Sequence, residues 1–564
     1  MYRHRYFCLL LAASLGLGIT ASCSQAKDYP YKFVYVHGKP LENMEQVELI
    51  RKLAKTAREH GLNGLILDAF FDRITREPPY DYKNLREIVN ICQENGIEFI
   101  PSVMGLGYNA PMLCNDKNLI EGLPVRDALF VVGKGRAGLQ DDPAVEIVNG
   151  GFERAEGGAP AAFTLSGQPG AVISIDATVA KQGKSSLKVE LSKEFAEESA
   201  LATQEISVHP YRIYRLSCWV RTEGIKSSGD VFPMLIQGTD GRRLQYYIPP
   251  VKGTSDWTRA VVGFNSKNYD RVRISVGAPA SDGGAFWIDG LTIREEGLVN
   301  VLRRQGTPLV VKGETSGTVY EEGRDFAPVY DPVMTLLYDH EPPSIKILPG
   351  SRIAEGERLR VSFYNNQPIY NGQTPACFSE PEVYEWWRRS VEFLHNYIHP
   401  KKYYLGVDEL RMAGTCETCK KRGLSVVEML GDCIRKQEEI IRSFEPEAEI
   451  FIWSDMFDPN HNANNRQGNY YYFADETFEN SWKYIPKDVV IVCWYHEVRD
   501  ASLKHFSGNG FRTLGSSSGD LNTARGWLKS LDATPRAVGI MYTTWSDDFS
   551  ILPDFGDLVN RKIQ

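Results

Sequence analysis

Short apolar strands alternate with helices at both ends of this chain, and about 150 residues without helical period separate the two stretches. The first stretch holds three strand–helix units. Residues 32–36 (KFVYV), 64–69 (GLILDA) and 97–103 (IEFIPSV) are apolar runs, and segments 44–60 and 82–95 between them repeat apolar residues at helical spacing. Gly96 closes the second helix where a left-handed residue is favoured. After the break, strands are expected at 403–407, 449–453, 489–494, 511–515 and 538–544, with helices at 382–397 and 426–444. Strands that are apolar throughout, rather than alternating, belong to parallel sheets covered on both faces. Three strands before the break and five after it make eight, the number that closes a (β/α)8 TIM barrel. The expected fold class is therefore α/β, a (β/α)8 TIM barrel interrupted after strand 3 by an all-β sandwich.

The interruption itself has alternating runs at 171–175, 186–190, 214–221, 232–237, 258–264, 272–277 and 286–294, separated by turn residues. That spacing reads as a β-sandwich. With 564 residues the chain is too long for one core. It divides into a leader (1–23), barrel strands 1–3 (30–125), the inserted sandwich (146–297), a β-rich extension (298–365) and barrel strands 4–8 (366–564).

The leader has Arg3, His4 and Arg5 ahead of an apolar run at 7–19, which is shorter than the roughly 20 residues of a membrane span. Two cleavage sites compete, one before Cys23 and one after Ser24-Gln25-Ala26. The first would lipidate Cys23, and it is the expected one: an exported, cell-envelope lipoprotein that meets membrane only through its anchor. A net charge of −8 with no basic stripe excludes nucleic acid as a partner. Of ten cysteines, eight lie beyond the leader, too few to suggest a disulfide framework. Cys416 and Cys419 are a close pair, open to three readings: a small disulfide, two free thiols, or half of a zinc site completed by Cys433 or Cys377.

In such a barrel, chemistry sits at the C-terminal ends of the strands. The polar residues there are His37 after strand one, Asp68 after strand two, Asp408, Glu409 and Arg411 after strand four, and Asp455 beside Trp453 at strand five. Trp494 and Tyr495 follow strand six, and Trp545 and Asp547 follow strand eight. Flat rings that stack on sugar faces, together with carboxylates that bind hydroxyls and move protons, make a glycan the expected partner. The adjacent pair Asp408-Glu409 is the sharpest feature, with Glu409 placed to protonate a leaving glycosidic oxygen. Asp455 and Asp68 are the candidates for a second, directly attacking carboxylate.

Two resemblances refine this. Asn149-Gly150-Gly151-Phe152-Glu153, the run Gly183–Val189, Tyr214–Val220 and Trp287-Ile288-Asp289-Gly290-Leu291 occur in the order seen in jelly-roll carbohydrate-binding modules. That resemblance implies a jelly-roll sandwich and a structural calcium ion near its ends, with Glu153 and Asp289 as the matching carboxylates. Tyr404-Leu405-Gly406-Val407-Asp408-Glu409 resembles the His-x-Gly-Gly-Asp-Glu signature of family-20 glycoside hydrolases, the β-N-acetylhexosaminidases, with Tyr404 and Val407 departing from it. The resemblance covers roughly 33–108 and 380–555. It implies an exo-acting, substrate-assisted retaining hydrolase of β-linked N-acetylhexosamine or a related amino sugar, needing no cofactor for catalysis. Asp408 would orient the acetamido group, Glu409 would act as acid and then base, and Tyr495 would bond the acetamido carbonyl. Trp453, Trp494 and Trp545 would wall the pocket, with Asp547 on a sugar hydroxyl. The alternative is a glycan-binding surface lipoprotein whose barrel has lost catalysis.

Overall fold

The computed structural model describes residues 27–562 except 40, 74–81, 167–171, 191–199, 226–233, 248–251, 279–282, 336–337, 368, 370–372 and 465–469. The leader and Cys23 lie outside the described residues, as do the first residues of the runs expected at 171–175 and 232–237.

Eight strands close a barrel in chain order: Tyr31–Val36, Gly64–Leu67, Glu98–Val103, Lys402–Leu405, Glu449–Trp453, Val490–Cys493, Arg512–Ser518 and Ala537–Thr543. Every neighbouring pair is parallel. Because side chains alternate along a strand, each strand supplies two layers. Phe33, Tyr35, Ile66, Ile100, Tyr404, Phe451 and Trp453 form one interior cluster. Their neighbours Val34, Val36, Leu65, Leu67, Tyr403, Leu405 and Ile452 belong instead to the large cluster shared with the helices. The helix Val426–Phe444 starts on a capping box made by Ser425 and Glu428, and buries Leu430, Ile434 and Ile441 on one face.

The expected helix-rich (β/α)8 TIM barrel is corrected. Among the described residues, the regular coat of one helix per strand is not there. Among the described residues there are nine α-helices, two of them only four and five residues long (Ala110–Leu113 and Glu417–Lys421). The path from the fifth barrel strand to the sixth runs through 3-10 turns at Asp455–Phe457, Asn462–Asn464 and Ser481–Lys483. That segment carries Pro459, Asn460, Asn462, Asn464 and Asn480, residues whose side chains and backbone preferences favour turns over helix. The insertion comprises two antiparallel β units. The molecule is mostly β: a closed, all-parallel eight-stranded barrel plus antiparallel sheets.

The inner unit of the insertion is a sandwich of two five-stranded sheets, the longest strands being Ser255–Asn265, Ile213–Glu223 and Ala285–Glu296 in one and Arg271–Ala278 and Ala200–Ser207 in the other. The outer unit is a six-stranded sheet in which Arg358–Asn365 pairs with Leu123–Gly133. The extension at 298–365 is thus completed by a strand from before the sandwich, one that the sequence reading did not assign. Within the sandwich, Arg212 Nε stands 3.0 Å from Glu295 Oε1 and Arg215 Nε 3.0 Å from Glu296 Oε1, and Arg212 Nη2 reaches the outer sheet by donating to the Asp127 carbonyl at 2.7 Å. Arg215 also donates to the His340 carbonyl at 2.5 Å. On the barrel side, Arg242 Nη2 donates to the carbonyls of Tyr472 (3.0 Å) and Ala474 (3.2 Å), and Met412, Tyr471 and Phe473 join the sandwich's apolar cluster.

Candidate functional site

A cavity of about 590 Å³ opens at the C-terminal rim of the barrel. Its floor and one wall are aromatic. Tyr404, pointing inward from strand four, packs edge-on against Trp453 (centroids 5.1 Å apart), and Tyr35 touches Trp453, Tyr404 and Trp545 at 5.5 to 5.9 Å. Trp453 is fully buried, whereas Trp545 is 55% exposed at the mouth. Trp494, Phe70, Phe71, Ala110 and Pro111 also line the cavity.

Four carboxylates, Asp68, Asp72, Asp408 and Glu409, line the same space. Glu409 lies just past strand four with φ 46°, a left-handed backbone that costs a non-glycine residue of order 1 kcal/mol or more. The turn is held from below: Asp455 Oδ2 accepts the Glu409 backbone N–H at 2.8 Å and Asn462 Nδ2 at 3.0 Å, while Trp494 Nε1 donates to Asp455 Oδ1 at 3.4 Å. The Glu409 carboxylate accepts the Tyr108 hydroxyl and, at 2.7 Å, Gln373 Nε2. Arg411 Nε in turn donates to Gln373 Oε1, and its guanidinium lies over the Tyr470 ring, 4.4 Å from the centroid. The loop after strand three is pressed onto this turn. A Cβ on Gly107 would stand 1.9 Å from the Asp408 carbonyl oxygen, so only glycine fits there.

Three acids in this region are pushed toward their neutral forms. Burial, then the charges of Asp455 and Glu409, hold Asp408 well above the usual carboxylate range. Burial and the Glu409 charge raise Asp455 to about 7 despite the bonds it accepts. Burial raises Asp72 to about 7, opposed by the Gly105 amide that it accepts at 3.3 Å. The site can therefore hold a proton beside a carboxylate at neutral pH, which is what general acid–base chemistry requires.

The residues singled out from sequence sort into three groups. Asp408, Glu409, Trp453, Trp494, Trp545, Asp68 and His37 line the cavity, with His37 Nδ1 3.2 Å from Asp68 Oδ2. Asp455 and Arg411 stand behind it as supports for the Glu409 turn and for Gln373. Tyr495 and Asp547 are not among the lining residues. Tyr495 stacks on His461 (4.6 Å, 17°) and donates to Glu497 at 2.5 Å, and Asp547 pairs with Lys39 at 2.5 Å. Tyr108 and Gln373 were missed. Tyr108 had a signal, the Gly105-Leu106-Gly107 run before it, whereas nothing in sequence tied Gln373 to Glu409.

Glu153 and Asp289 do not fit a calcium ion. Glu153 Oε1 accepts the amides of Lys184 (2.8 Å) and Ser185 (3.4 Å), and Asp289 accepts those of Lys181, Gln182 and Gly290 at 2.6 to 2.8 Å. Backbone N–H groups already occupy the directions a cation would need, and calcium wants six to eight oxygens.

No protein-family model matches the chain, and no curated protein does. Solved structures similar to it include the CBM22-1 xylan-binding domain from Paenibacillus barcinonensis Xyn10C, at 18% identity and TM-score 0.19, covering 26% of this chain and 90% of that one. A family 16 carbohydrate-binding module is 18% identical at TM-score 0.18, over 24% of this chain and 96% of that one. A structure titled "CBM4 structure and function" is 14% identical at TM-score 0.21, over 27% and 99%.

Proposed function

We propose that the barrel pocket binds a terminal sugar of a glycan. The observation that carries this reading is the cavity itself: an aromatic wall of Trp453, Trp494 and Trp545 facing the carboxylates Asp68, Asp408 and Glu409. Indole faces take the apolar face of a pyranose, and carboxylates bond its hydroxyls, so one pocket meets both sides of a sugar's chemistry. That carbohydrate-binding modules are among the similar structures agrees with a glycan ligand, but at such low TM-scores the reading rests on the pocket's own geometry.

A second reading, hydrolysis of the bound glycosidic bond, is favoured by the clustering of Asp408, Glu409 and Asp455. Glu409 is the acid and base in this reading, held by Tyr108 and Gln373, with Asp408 beside it as a hydrogen-bonding group for the sugar. Tyr495 takes no part, since its hydroxyl is bonded to Glu497, so the amino-sugar preference rests on Asp408 alone.

The test is a glycan array followed by calorimetry on the purified full chain. Binding that weakens at least tenfold in Trp545→Ala supports the sugar pocket, and undiminished binding in that variant overturns it. Turnover of aryl β-N-acetylhexosaminides, or of the glycans that bind, separates the hydrolase from the binding protein.

A further inference from the structure

Away from the pocket, the chain gathers three thiols and a carboxylate in one buried place. Cys377 lies ahead of the helix Pro381–Ile398, Cys416 and Cys419 flank the start of Glu417–Lys421, and Glu121 comes from the segment leading out of the barrel into the insertion. All four are buried, and their ligand atoms lie within 4.8 Å of one another. Cys377 Sγ is 3.5 Å from Cys416 Sγ and 3.5 Å from Cys419 Sγ, and Cys419 Sγ is 3.5 Å from Glu121 Oε2.

We propose that Glu121, Cys377, Cys416 and Cys419 form a tetrahedral zinc site. The spacing suits it: zinc–sulfur bonds of about 2.3 Å give a tetrahedron whose edges are close to 3.8 Å. A disulfide needs sulfurs about 2.05 Å apart, and here one thiol is equally far from two others. Cys-x-x-Cys at a helix start is a common way to present two thiolates to one zinc ion.

The surroundings prepare the fourth ligand. Glu121 Oε1 is spent on three donors, the Thr415 amide (2.9 Å), the Thr415 hydroxyl (2.8 Å) and the Cys416 amide (2.7 Å). Those bonds fix the carboxylate so that Oε2 is the oxygen facing the thiols. Arg304, also buried, donates to the carbonyls of Asn118 (2.6 Å) and Ile120 (2.8 Å) and to Glu380 (2.9 Å). Its Nη2 is buried without a hydrogen-bond partner among the described residues. Three thiolates and a carboxylate around a dication leave an excess of negative charge, and this guanidinium offsets part of it. The thiol protons go to solvent as the metal enters.

The site would work as a staple on the pocket. Gln373, which holds Glu409, is four residues before Cys377, and Arg411, which holds Gln373, is five residues before Cys416. Metal at the cluster fixes both segments to the exit of strand three.

Elemental analysis of the full chain, purified under reducing conditions and reconstituted with zinc, tests this. The expected result is about one zinc per chain, falling to background in Cys377→Ser and Cys419→Ser but kept in Cys433→Ser, with a thiolate-to-cobalt charge-transfer band when cobalt replaces zinc. Removal of the metal by a chelator lowers the melting temperature of the parent and leaves that of Cys419→Ser unchanged. Zinc at background after reconstitution overturns the proposal, as does zinc retained by both serine variants. None of these readouts depends on whether the pocket binds a sugar.

Discussion

Among the described residues, Glu409 is one of several non-glycine residues with positive φ in loops that follow barrel strands, as are Leu41, Phe70, Met104 and Asp547. Strain of this kind persists only where surrounding contacts over-determine it. At Glu409 those contacts are the Asp455 carboxylate on its amide and Tyr108 and Gln373 on its side chain. If the pocket is hydrolytic, Glu409→Gln lowers kcat by about two to four orders of magnitude while glycan affinity stays within a few-fold, measured by turnover and calorimetry on one preparation. Asp455 supports a second prediction. It titrates at about 7 when folded against an ordinary value of 3.8, so between those values the folded chain holds more protons than the unfolded one. Its contribution to stability is therefore full below about pH 4 and is lost as pH rises through about 7. Asp455→Asn removes that loss, so melting curves of parent and variant should diverge between pH 4 and 7 in the variant's favour; parallel curves would contradict it.

Secondary-structure elements differ in how much of themselves the sequence revealed. Most barrel strands were legible because they are short, mainly apolar runs, as at Gly64–Leu67 before Asp68 and Val490–Cys493, although Arg512–Ser518 is largely polar. Between the fifth and sixth strands the described residues hold 3-10 turns where alternation elsewhere suggested a helix, although the Asn- and Pro-bearing segment from 459 argued for turns. Leu123–Gly133 was illegible for another reason. Its partner Arg358–Asn365 is more than two hundred positions away, and an isolated strand shows no periodicity that identifies such a partner. The same limit hid Gln373, which reaches Glu409 only through tertiary packing, and kept Tyr495 in the expected pocket, since a position at a strand end does not say which way a ring turns. On neighbouring strands of the sandwich, Arg215 and Glu296 are almost fully buried, at 4% and 2% side-chain exposure. Arg215→Ala leaves Glu296 with the half-exposed Arg294 alone, its Nε 2.6 Å away, and should cost about 3 kcal/mol, the lower end for a broken buried pair, read from urea denaturation; a loss below about 1 kcal/mol would place that ion pair among the weak surface kind.

Across the whole molecule, the barrel, sandwich and outer sheet share side chains rather than meeting through linkers. Met412, Tyr471 and Phe473 belong to barrel loops yet pack in the sandwich's cluster, and Ile213 of the sandwich packs in the outer sheet's. Equilibrium unfolding should therefore be a single transition, with tryptophan fluorescence and far-ultraviolet circular dichroism giving coincident curves. Separate midpoints would mean that the shared clusters are too weak to couple the three parts.

The pairing of Leu123 with Asn365 also bears on how the barrel can assemble at all. Strands three and four, joined at Ser102 and Tyr404, are roughly three hundred positions apart. Closing so long a loop in an unfolded chain is entropically slow work. Once the outer sheet has formed, however, the insertion's two ends are already side by side, and the search shrinks to the short arms between Val103 and Leu123 and between Asn365 and Lys402. Loop closure is then easier by about 1.5 kcal/mol, which makes the inserted β units a folding clamp that favours closing the insertion before the barrel becomes a ring.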